Sequence, residues 1–529
     1  MKKQTSVKIL LSKNRKWKNF SFKNHKVFYK GFFFGLNDKN LKIQIIDNLI
    51  KKRNWNFLRK NFGNFSIVIK CKNSILLISD TSRSYPLYYY FKNKRIIISD
   101  FSKNITKKLK KIIINKEVRN LSLMSGYTIS DYTIYQNINT INAGQYIELK
   151  KKISKKFYIK FFPEKFFEKN YSFYKKRYFE VLDEIFQDLK YKIRDTKIYL
   201  ALSAGDDSRL IASFLKKYGF NVECFSYGLK KNWEIKIAKN IAKKLDLKHH
   251  IIIIKSEEVR NFYQSKEFEN YFNKYNNFDS APSLHEVYPI KILKKINKSN
   301  NAIIMNGQPA DGINGSYVSR KFLKKGDYSK DVYEEIIKKH YSLWPKILSL
   351  KNIQLVKKYI HSEFKKYQNS KIKFPYQLML FHSYQNRICK YLMKNYQVYE
   401  NYKFNWYSPY MDQRFIKFWF SVPLKFHYKN NLSKKILKDK NLFNLWNFEV
   451  KKNNNLDIGT NILRNFTKTL FLFNKKGWKS FDKRYFQYFN DNQLKSHIVS
   501  KNRWRNTKDF RSPISFLTAR WLDINLKDI

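Results

Sequence analysis

For 529 residues the chain carries little cysteine, glycine, proline or acidic charge. Its three cysteines, Cys71, Cys224 and Cys389, lie far apart and form no C-x-x-C pair, which excludes a disulfide framework and a cysteine-built zinc site. No run of about 18 apolar residues occurs, so neither a membrane-spanning helix nor a membrane partner is expected. The opening stretch MKKQTSVKILLSKNRKWKNF is basic without a long apolar core, unlike a secretory signal, and a cytoplasmic location is expected. Lys and Arg together number 107 against 41 Asp and Glu, a formal net charge of +66. That imbalance ordinarily points to a polyanionic partner. Here, however, the basic residues are spread over nearly every segment, and the 38 Tyr and 45 Phe beside only 14 Gly and 10 Pro follow A/T-rich codons. Compositional drift is thus the favoured account of the charge, and a nucleic-acid partner the less favoured one. An apolar content of 43% suffices for buried cores in two or three domains.

The grammar of the chain changes near residue 170. Before it, FSIVIKCKNSILLISD (65–80), LYYYFKNKRIIISD (87–100) and GQYIELKKKISKKFYIKFF each read as two β-rich runs around a short polar turn, a hairpin pattern. After it, strands at 197–202, 220–226 and 248–254 alternate with helices at 209–218 and 233–245, which predicts βαβ units and a parallel sheet. A further strand at 301–306 enters the loop GQPADGINGSY, and long helical stretches come after it at 332–348, 353–367 and 376–397.

The segment LSAGDDSRLIASFLKKYG places a small polar loop between a strand and a helix whose apolar residues Leu210, Ile211, Phe214, Leu215 and Tyr218 keep helical spacing. At such a junction free N–H groups and the helix dipole favour an anion, and the small residues Ser203, Ala204 and Gly205 let a phosphate approach the backbone. A carboxylate beside a phosphate is repelled unless a cation lies between them, so Asp207 implies Mg²⁺ shared by protein and nucleotide. The same pattern suits an ordinary α/β turn in which Asp merely opens the helix.

LSAGDDS (202–208) resembles the pyrophosphate-binding loop of the asparagine synthetase family, S-G-G-x-D-S, with Ala204 in place of the first Gly. The order of the segments beyond the loop supports the resemblance. FSYG (225–228) is similar to the family's second strand end, EIKIAKNIAKKLDLKHH (234–250) to its next helix and strand, and NGQPADGINGSY (306–317) to S-G-E-G-A-D-E-x-x-G-G-Y. SPYMDQRFIKFWFSVPLKF (408–426) resembles the P-F-L-D segment, and LSKKILKD (432–439) the lysine segment after it. In the first half, ISDTSRSYPLYYYFKNKRIIISD (78–100) and TIYQNINTINAGQYIEL (133–149) resemble the family's glutamine amidotransferase domain.

The resemblance implies α/β and α+β classes in two domains. Residues 1–168 would form an Ntn-type αββα sandwich, and residues 169–529 a parallel-sheet ATP-pyrophosphatase domain with a helical C-terminal part. It implies ATP contacts at Leu202, Ser203, Gly205, Asp207, Ser208, Tyr227, Asn306 and Gly307, and Mg²⁺ ligands at Asp207 and Asp311. Lys434 matches the lysine that stabilises developing charge, Gln308 stands at a catalytic Glu, Asp206 falls on the variable position, and Asp412 reads as structural. The implied chemistry is adenylation of a small-molecule carboxylate with release of pyrophosphate, then attack by ammonia or an amine. Quaternary state is left open, a homodimer included.

Two departures qualify the resemblance. A glutamine-hydrolysing member carries Cys directly after the initiator Met, whereas Lys2 stands here, and no counterpart of the glutamine-binding N-G-x-x-Y-N stretch is found. The first half is therefore expected to be a scaffold without glutaminase activity. Gln308 cannot accept a proton as a carboxylate can, and Gly312 replaces the acid after Asp311, which argues against free aspartate as substrate. Two other readings are a pyrophosphate-loop tRNA-modifying enzyme and a non-catalytic nucleotide- or nucleic-acid-binding protein.

Overall fold

The computed structural model describes residues 6–527 apart from 73, 160, 163–168, 231, 298–300, 324–330, 368–374, 449–455, 457 and 492–493. Lys2 and the expected boundary after residue 168 lie outside the described residues. The described chain is a mixed α/β structure with three sheets.

Strands β1 (Ser6–Leu10), β2 (Lys18–Phe22), β3 (His25–Gly31), β4 (Phe65–Lys70), β5 (Ile75–Ser79), β6 (Tyr88–Lys92), β7 (Arg95–Ser99), β8 (Ile138–Thr140), β9 (Gln145–Leu149) and β10 (Ile153–Phe157) build the first two. A four-stranded sheet runs β1-β7-β6-β8 and a six-stranded antiparallel sheet β10-β9-β5-β4-β3-β2. The expected hairpins are β4–β5, β6–β7 and β9–β10, all antiparallel. Strand β1 pairs parallel with β7.

Side chains alternate between faces along each strand, and the sequence uses both faces. In β4 and β5, Val68, Ile75 and Leu77 meet Leu87, Tyr89, Ile96 and Ile98 of the other sheet in a closed apolar layer. Ile67, Ile69, Leu76 and Ile78 point the opposite way into the main core. Burial on both sides explains why these strands are nearly continuous apolar runs.

The third sheet is wholly parallel: β11 (Ile198–Ala201), β12 (Val222–Gly228), β13 (Lys248–Ile253), β14 (Ile303–Asn306) and β15 (Asn405–Trp406), in the order β13-β12-β11-β14-β15. The helices Asp206–Lys217 and Trp233–Lys244 are the connections after β11 and β12. The first begins three residues before the sequence-based start at 209, so Asp206 to Ser208 form its first turn.

Two helical expectations need correction. The stretch 332–348 is helical only as Asp331–His340, with a separate 3₁₀ turn at Pro345–Ile347, because Pro345 disfavours helical backbone just before it. The stretch 376–397 is broken into an α-helix Pro375–His382, a π-helix Ser383–Tyr391, a 3₁₀ turn Leu392–Lys394 and a helix Asn395–Asn401. Polar residues buried within it, Asn386, Lys390 and Lys394 among them, are held by partners elsewhere in the chain.

Those partners join the sheet-rich first half to the remainder. Arg83 Nη2 pairs with Asp279 Oδ2 at 2.5 Å, and Lys394 Nζ lies 3.2 Å from Asp279 Oδ1. The Arg83 guanidinium also donates to Ile141 O and Thr140 Oγ1. Lys390 Nζ donates to Thr128 O at 3.1 Å and to Ser130 O. All four charged side chains are buried, so each requires its partner to offset the loss of water.

Candidate functional site

In a parallel sheet the loops that leave the carboxyl ends of neighbouring strands converge. Here β11 runs into Leu202–Gly205, β14 into Gly307–Gly312, and β12 ends at Tyr227 and Gly228. A cavity of about 380 Å³ opens between them, lined by Leu202, Ser203, Gly205, Asp207 and Ser208 of the first loop. Asn306, Gly307, Gln308 and Asp311 come from the second, and Tyr227 from β12. Ten of the eleven residues singled out in the sequence thus share one cavity. The eleventh, Lys434, does not line it. It is exposed on the helix Asn431–Lys440, one turn beyond Asn430, whose Nδ2 donates to Asp311 Oδ1 at 2.8 Å.

The loop hydroxyls close on themselves. Ser208 Oγ accepts from Ser203 N at 3.0 Å, the two hydroxyls lie 3.0 Å apart, and Gly205 N donates to Ser203 Oγ at 3.1 Å. Gly205 occupies the N-cap of the helix Asp206–Lys217 and provides no side-chain cap. The first-turn N–H groups of that helix, which lack intrahelical acceptors, are therefore left for an anion. The two loops also touch closely. A Cβ on Gly307 would sit 2.9 Å from Ser208 N and 3.0 Å from Asp207 Cβ, so a larger residue there would push the acid-bearing loop away.

The paired acids have different surroundings. Asp206 Oδ1 accepts from Trp446 Nε1 at 2.9 Å, and beside it Arg209 donates to Ala204 O and Leu445 O. Asp206 thus belongs to a staple between the helix start and the 441–447 segment. Asp207 faces the cavity. Burial first, then the Asp311 and Asp206 carboxylates, pushes its carboxyl well above the usual range. Two mutually repelling carboxylates lining one cavity beside an uncapped helix start fit a divalent cation that would relieve their repulsion. Among the described residues no third carboxylate, His or Cys joins them. Such a sparse set suits Mg²⁺, which keeps waters and takes the rest of its shell from phosphate oxygens.

Gln308 is held firmly. Its Oε1 accepts from Asn395 Nδ2, and its carbonyl accepts from Tyr396 Oη at 2.7 Å and Ser408 Oγ at 3.1 Å. Asp412 caps the helix Gln413–Ser421 and accepts from Arg414 and Tyr407, a structural role.

Sequence reasoning missed the far wall. His285 and Glu286 line the cavity from an irregular stretch ahead of the helix Val287–Ile296. Glu286 sits at φ +63°, and its carboxylate accepts from Tyr227 Oη at 3.1 Å and from Tyr399 Oη. Left-handed backbone at a non-glycine residue is costly and is retained where its surroundings fix it. Burial, with Lys495 nearby, pushes the His285 imidazole well below its ordinary value, so it is neutral. Neither residue carries a local signal in the sequence, since only the tertiary fold brings the segment to the strand tips. Among the described residues the cavity is lined by Asp207, Glu234, Glu286 and Asp311 and by no Lys or Arg.

No curated protein matches the chain. Among solved structures it is similar to an NH3-dependent NAD synthetase from Campylobacter jejuni, with 14% identity over 36% of this chain and 96% of that one and a TM-score of 0.22. A predicted tRNA methyltransferase subunit from Methanocaldococcus jannaschii aligns at 19% identity over 31% and 74%, TM-score 0.16. A glutamine phosphoribosylpyrophosphate amidotransferase from B. subtilis aligns at 10% identity over 64% and 74%, TM-score 0.18. Likenesses at this level carry no argument about activity. The family comparison is more specific: residues 192–440, the stretch that holds both acid-bearing loops and the Lys434 helix, match the family model of asparagine synthase.

Proposed function

We propose that the chain is an ATP-dependent amide ligase of the asparagine synthase type, which adenylates a small-molecule carboxylate and passes the acyl group to ammonia or an amine. The observation that carries this reading is the meeting of Asp207 and Asp311 beside an uncapped helix start in one cavity. In the proposed reaction a carboxylate oxygen attacks the α-phosphorus of ATP, and the bond to pyrophosphate breaks. The amine nitrogen then attacks the acyl carbon, AMP leaves, and the nitrogen gives up a proton.

In this reading the residues have the following roles. The first-turn N–H groups after Gly205 hold phosphate oxygens, and Gly307 keeps the second loop close enough to enclose them. Leu202, Tyr227 and Asn306 flank the nucleotide. Asp207 and Asp311 would hold Mg²⁺, which when bound offsets phosphate charge. Lys434 supplies a donor for charge developing on the transferred group. Gln308 orients substrate by hydrogen bonds and does not take up a proton. With no Lys or Arg on the described wall, a substrate with a second free carboxylate, as in aspartate, meets no fixed counter-charge. A carboxylate that is otherwise neutral or cationic suits the cavity better.

In this reading residues 1–168 are an amidotransferase-type αββα scaffold without glutaminase chemistry, ahead of a synthetase unit over 169–529, and the two packed sheets among the described residues support it. ATP supply makes the cytoplasm the setting of the reaction. Carboxylate-dependent exchange of labelled pyrophosphate into ATP tests the reading. Exchange with a small carboxylate, abolished in Asp207→Asn, supports it. Exchange that required tRNA would move the chain to the modifying enzymes, and nucleotide binding without any exchange would make it a non-catalytic binder.

A further inference from the structure

The helix Ile458–Thr469 is turned inside out. Its apolar residues Ile458, Ile462, Leu463 and Phe466 are 70%, 64%, 55% and 64% exposed, and the stripe continues through Leu470, Leu472 and Phe473 at 71%, 69% and 103%. Residues 458, 462, 466 and 470 recur at the four-residue spacing of one helix face. The opposite, polar face is turned toward the protein. Thr460, Asn461, Arg464 and Thr467 are half-buried there, and Arg464 Nε donates to Asp482 Oδ1 at 2.6 Å on the following helix, Lys475–Tyr485. A helix that ends its folding in water points its apolar face inward. Seven large apolar side chains exposed along one short segment mark a surface that another phase or molecule covers.

Charge selects the occupant. Lys468, Lys475, Lys476 and Lys479 lie in the same segment and are exposed, and the one acid between residues 458 and 486 is Asp482, already engaged by Arg464. A second copy of a chain with formal net charge +66 would bring the same lysines against these, like charge on like. Single-stranded nucleic acid would match the lysines and could stack on Phe466 and Phe473, but it would leave Ile458, Ile462, Leu463, Leu470 and Leu472, which offer no ring, in water. An anionic bilayer satisfies both halves, taking aliphatic and aromatic side chains at the acyl boundary and lysines among the headgroups. No described helix is long and apolar enough to cross a membrane, so the contact is one of lying on the surface.

We propose that residues 458–479 form an interfacial anchor that seats the protein on an anionic lipid surface. The cavity shares no residue with this segment, so the anchor sets where the chemistry takes place and not what it is.

Flotation of the intact chain with phospholipid vesicles tests this. Native protein is expected to float with vesicles of mixed phosphatidylglycerol and phosphatidylcholine, weakly with phosphatidylcholine alone, and less as salt is raised. The triple variant Ile462→Ser, Phe466→Ser, Phe473→Ser alters only solvent-facing side chains. It is expected to keep the native circular dichroism and melting temperature while its partition coefficient falls about tenfold or more. Replacing Lys475, Lys476 and Lys479 by Ser should remove the preference for anionic lipid. Undiminished flotation of the apolar triple variant would overturn the proposal, because diffuse lysine charge would then explain the binding. It would equally fall if native protein ignored vesicles and formed a dimer that the triple variant makes monomeric, or ignored vesicles and retained RNA.

Discussion

Asn430 donates its Nδ2 to Asp311 Oδ1 at 2.8 Å, and this bond ties the start of the Lys434 helix to an acid on the cavity wall. Asn430 is itself at φ +59°, buried, at the N-cap of that helix. Lys434 lies one turn along that helix and is exposed. Lys434→Ala is expected to lower the rate of pyrophosphate release about 10²–10³-fold with little change in nucleotide affinity, the signature of a group used in the transition state. Asn430→Ala, which leaves the lysine but frees its helix, should fall between native and Lys434→Ala. Rapid-quench measurement of pyrophosphate checks both, and native rates in Lys434→Ala would remove the assignment.

The two acids of the opening turn should part company in the same assay. Asp207→Asn is expected to stop pyrophosphate release, whereas Asp206→Asn keeps an acceptor for Trp446 Nε1 and should be mild. Without Mg²⁺, Asp207→Asn should also melt higher than native, because it removes a half-buried carboxylate repelled by Asp311 and Asp206. Equal losses from the two substitutions would contradict the geometry.

The first half should be silent toward glutamine. The chain's first cysteine is Cys71, in the turn between β4 and β5, far along the chain from Lys2, and glutaminase chemistry of this type needs a thiol beside a free amine. Incubation with glutamine is expected to release no glutamate above a blank without protein, and steady release would show a nucleophile that the sequence does not reveal.

What the sequence disclosed and what it hid divide along a physical line. Strands β11, β12, β13 and β14 were legible because short apolar runs alternate with helical periodicity, and the hairpins because β-rich runs flank polar turns. Strand β15 was not, since Asn405 and Trp406 form a strand only by pairing with β14. The break in the 376–397 helix was hidden as well, because the distant partners of Asn386, Lys390 and Lys394 within it leave no local mark in the sequence. That Leu202 to Ser208 form a strand-to-helix loop could be read from local order, whereas His285 and Glu286 reach the same cavity through tertiary packing. The outward face of Ile458–Thr469 could not be read at all: periodicity shows a stripe but not which way it points.

The buried cations between the halves make stability depend on pH. Burial first, and then the charge of Arg83, lowers the Lys390 ammonium to about 7, against the pull of Asp279, Glu363 and Asp131. Lys394, more strongly supported by Asp279, is lowered to about 8. In the unfolded chain such groups titrate near an unperturbed value of about 10.4. Between pH 7 and 10 the unfolded state therefore holds protons that the folded state has released, and stability rises with pH. Below pH 7 both states are protonated and the full cost of the buried charge remains. Lys390→Met removes one such group, so native protein should gain on the variant between pH 7 and 9, by at most about 1.4 kcal/mol per pH unit. Denaturant midpoints at the two pH values measure this, and parallel shifts in native and variant would show that Lys390 stays charged.

The last prediction concerns Gln308, whose Oε1 accepts from Asn395 Nδ2 and whose carbonyl is fixed by Tyr396 and Ser408. A glutamate here could keep the same acceptor toward Asn395, so Gln308→Glu fits the site without rebuilding it. Adenylation should survive the change, since the phosphate turn, Asp207, Asp311 and Lys434 are untouched. General acid–base help is typically worth about 10²–10⁴-fold, and glutamine cannot give it by taking up a proton. Native protein should therefore amidate aspartate with ammonia poorly, and Gln308→Glu should raise that rate or leave it unchanged. Chromatographic measurement of asparagine with both proteins decides the matter. Strong asparagine synthesis by native protein that Gln308→Glu reduces would mean that the amide itself is the working group, donating from Nε2 while Oε1 is held, and that aspartate enters despite the absence of Lys and Arg on the described wall.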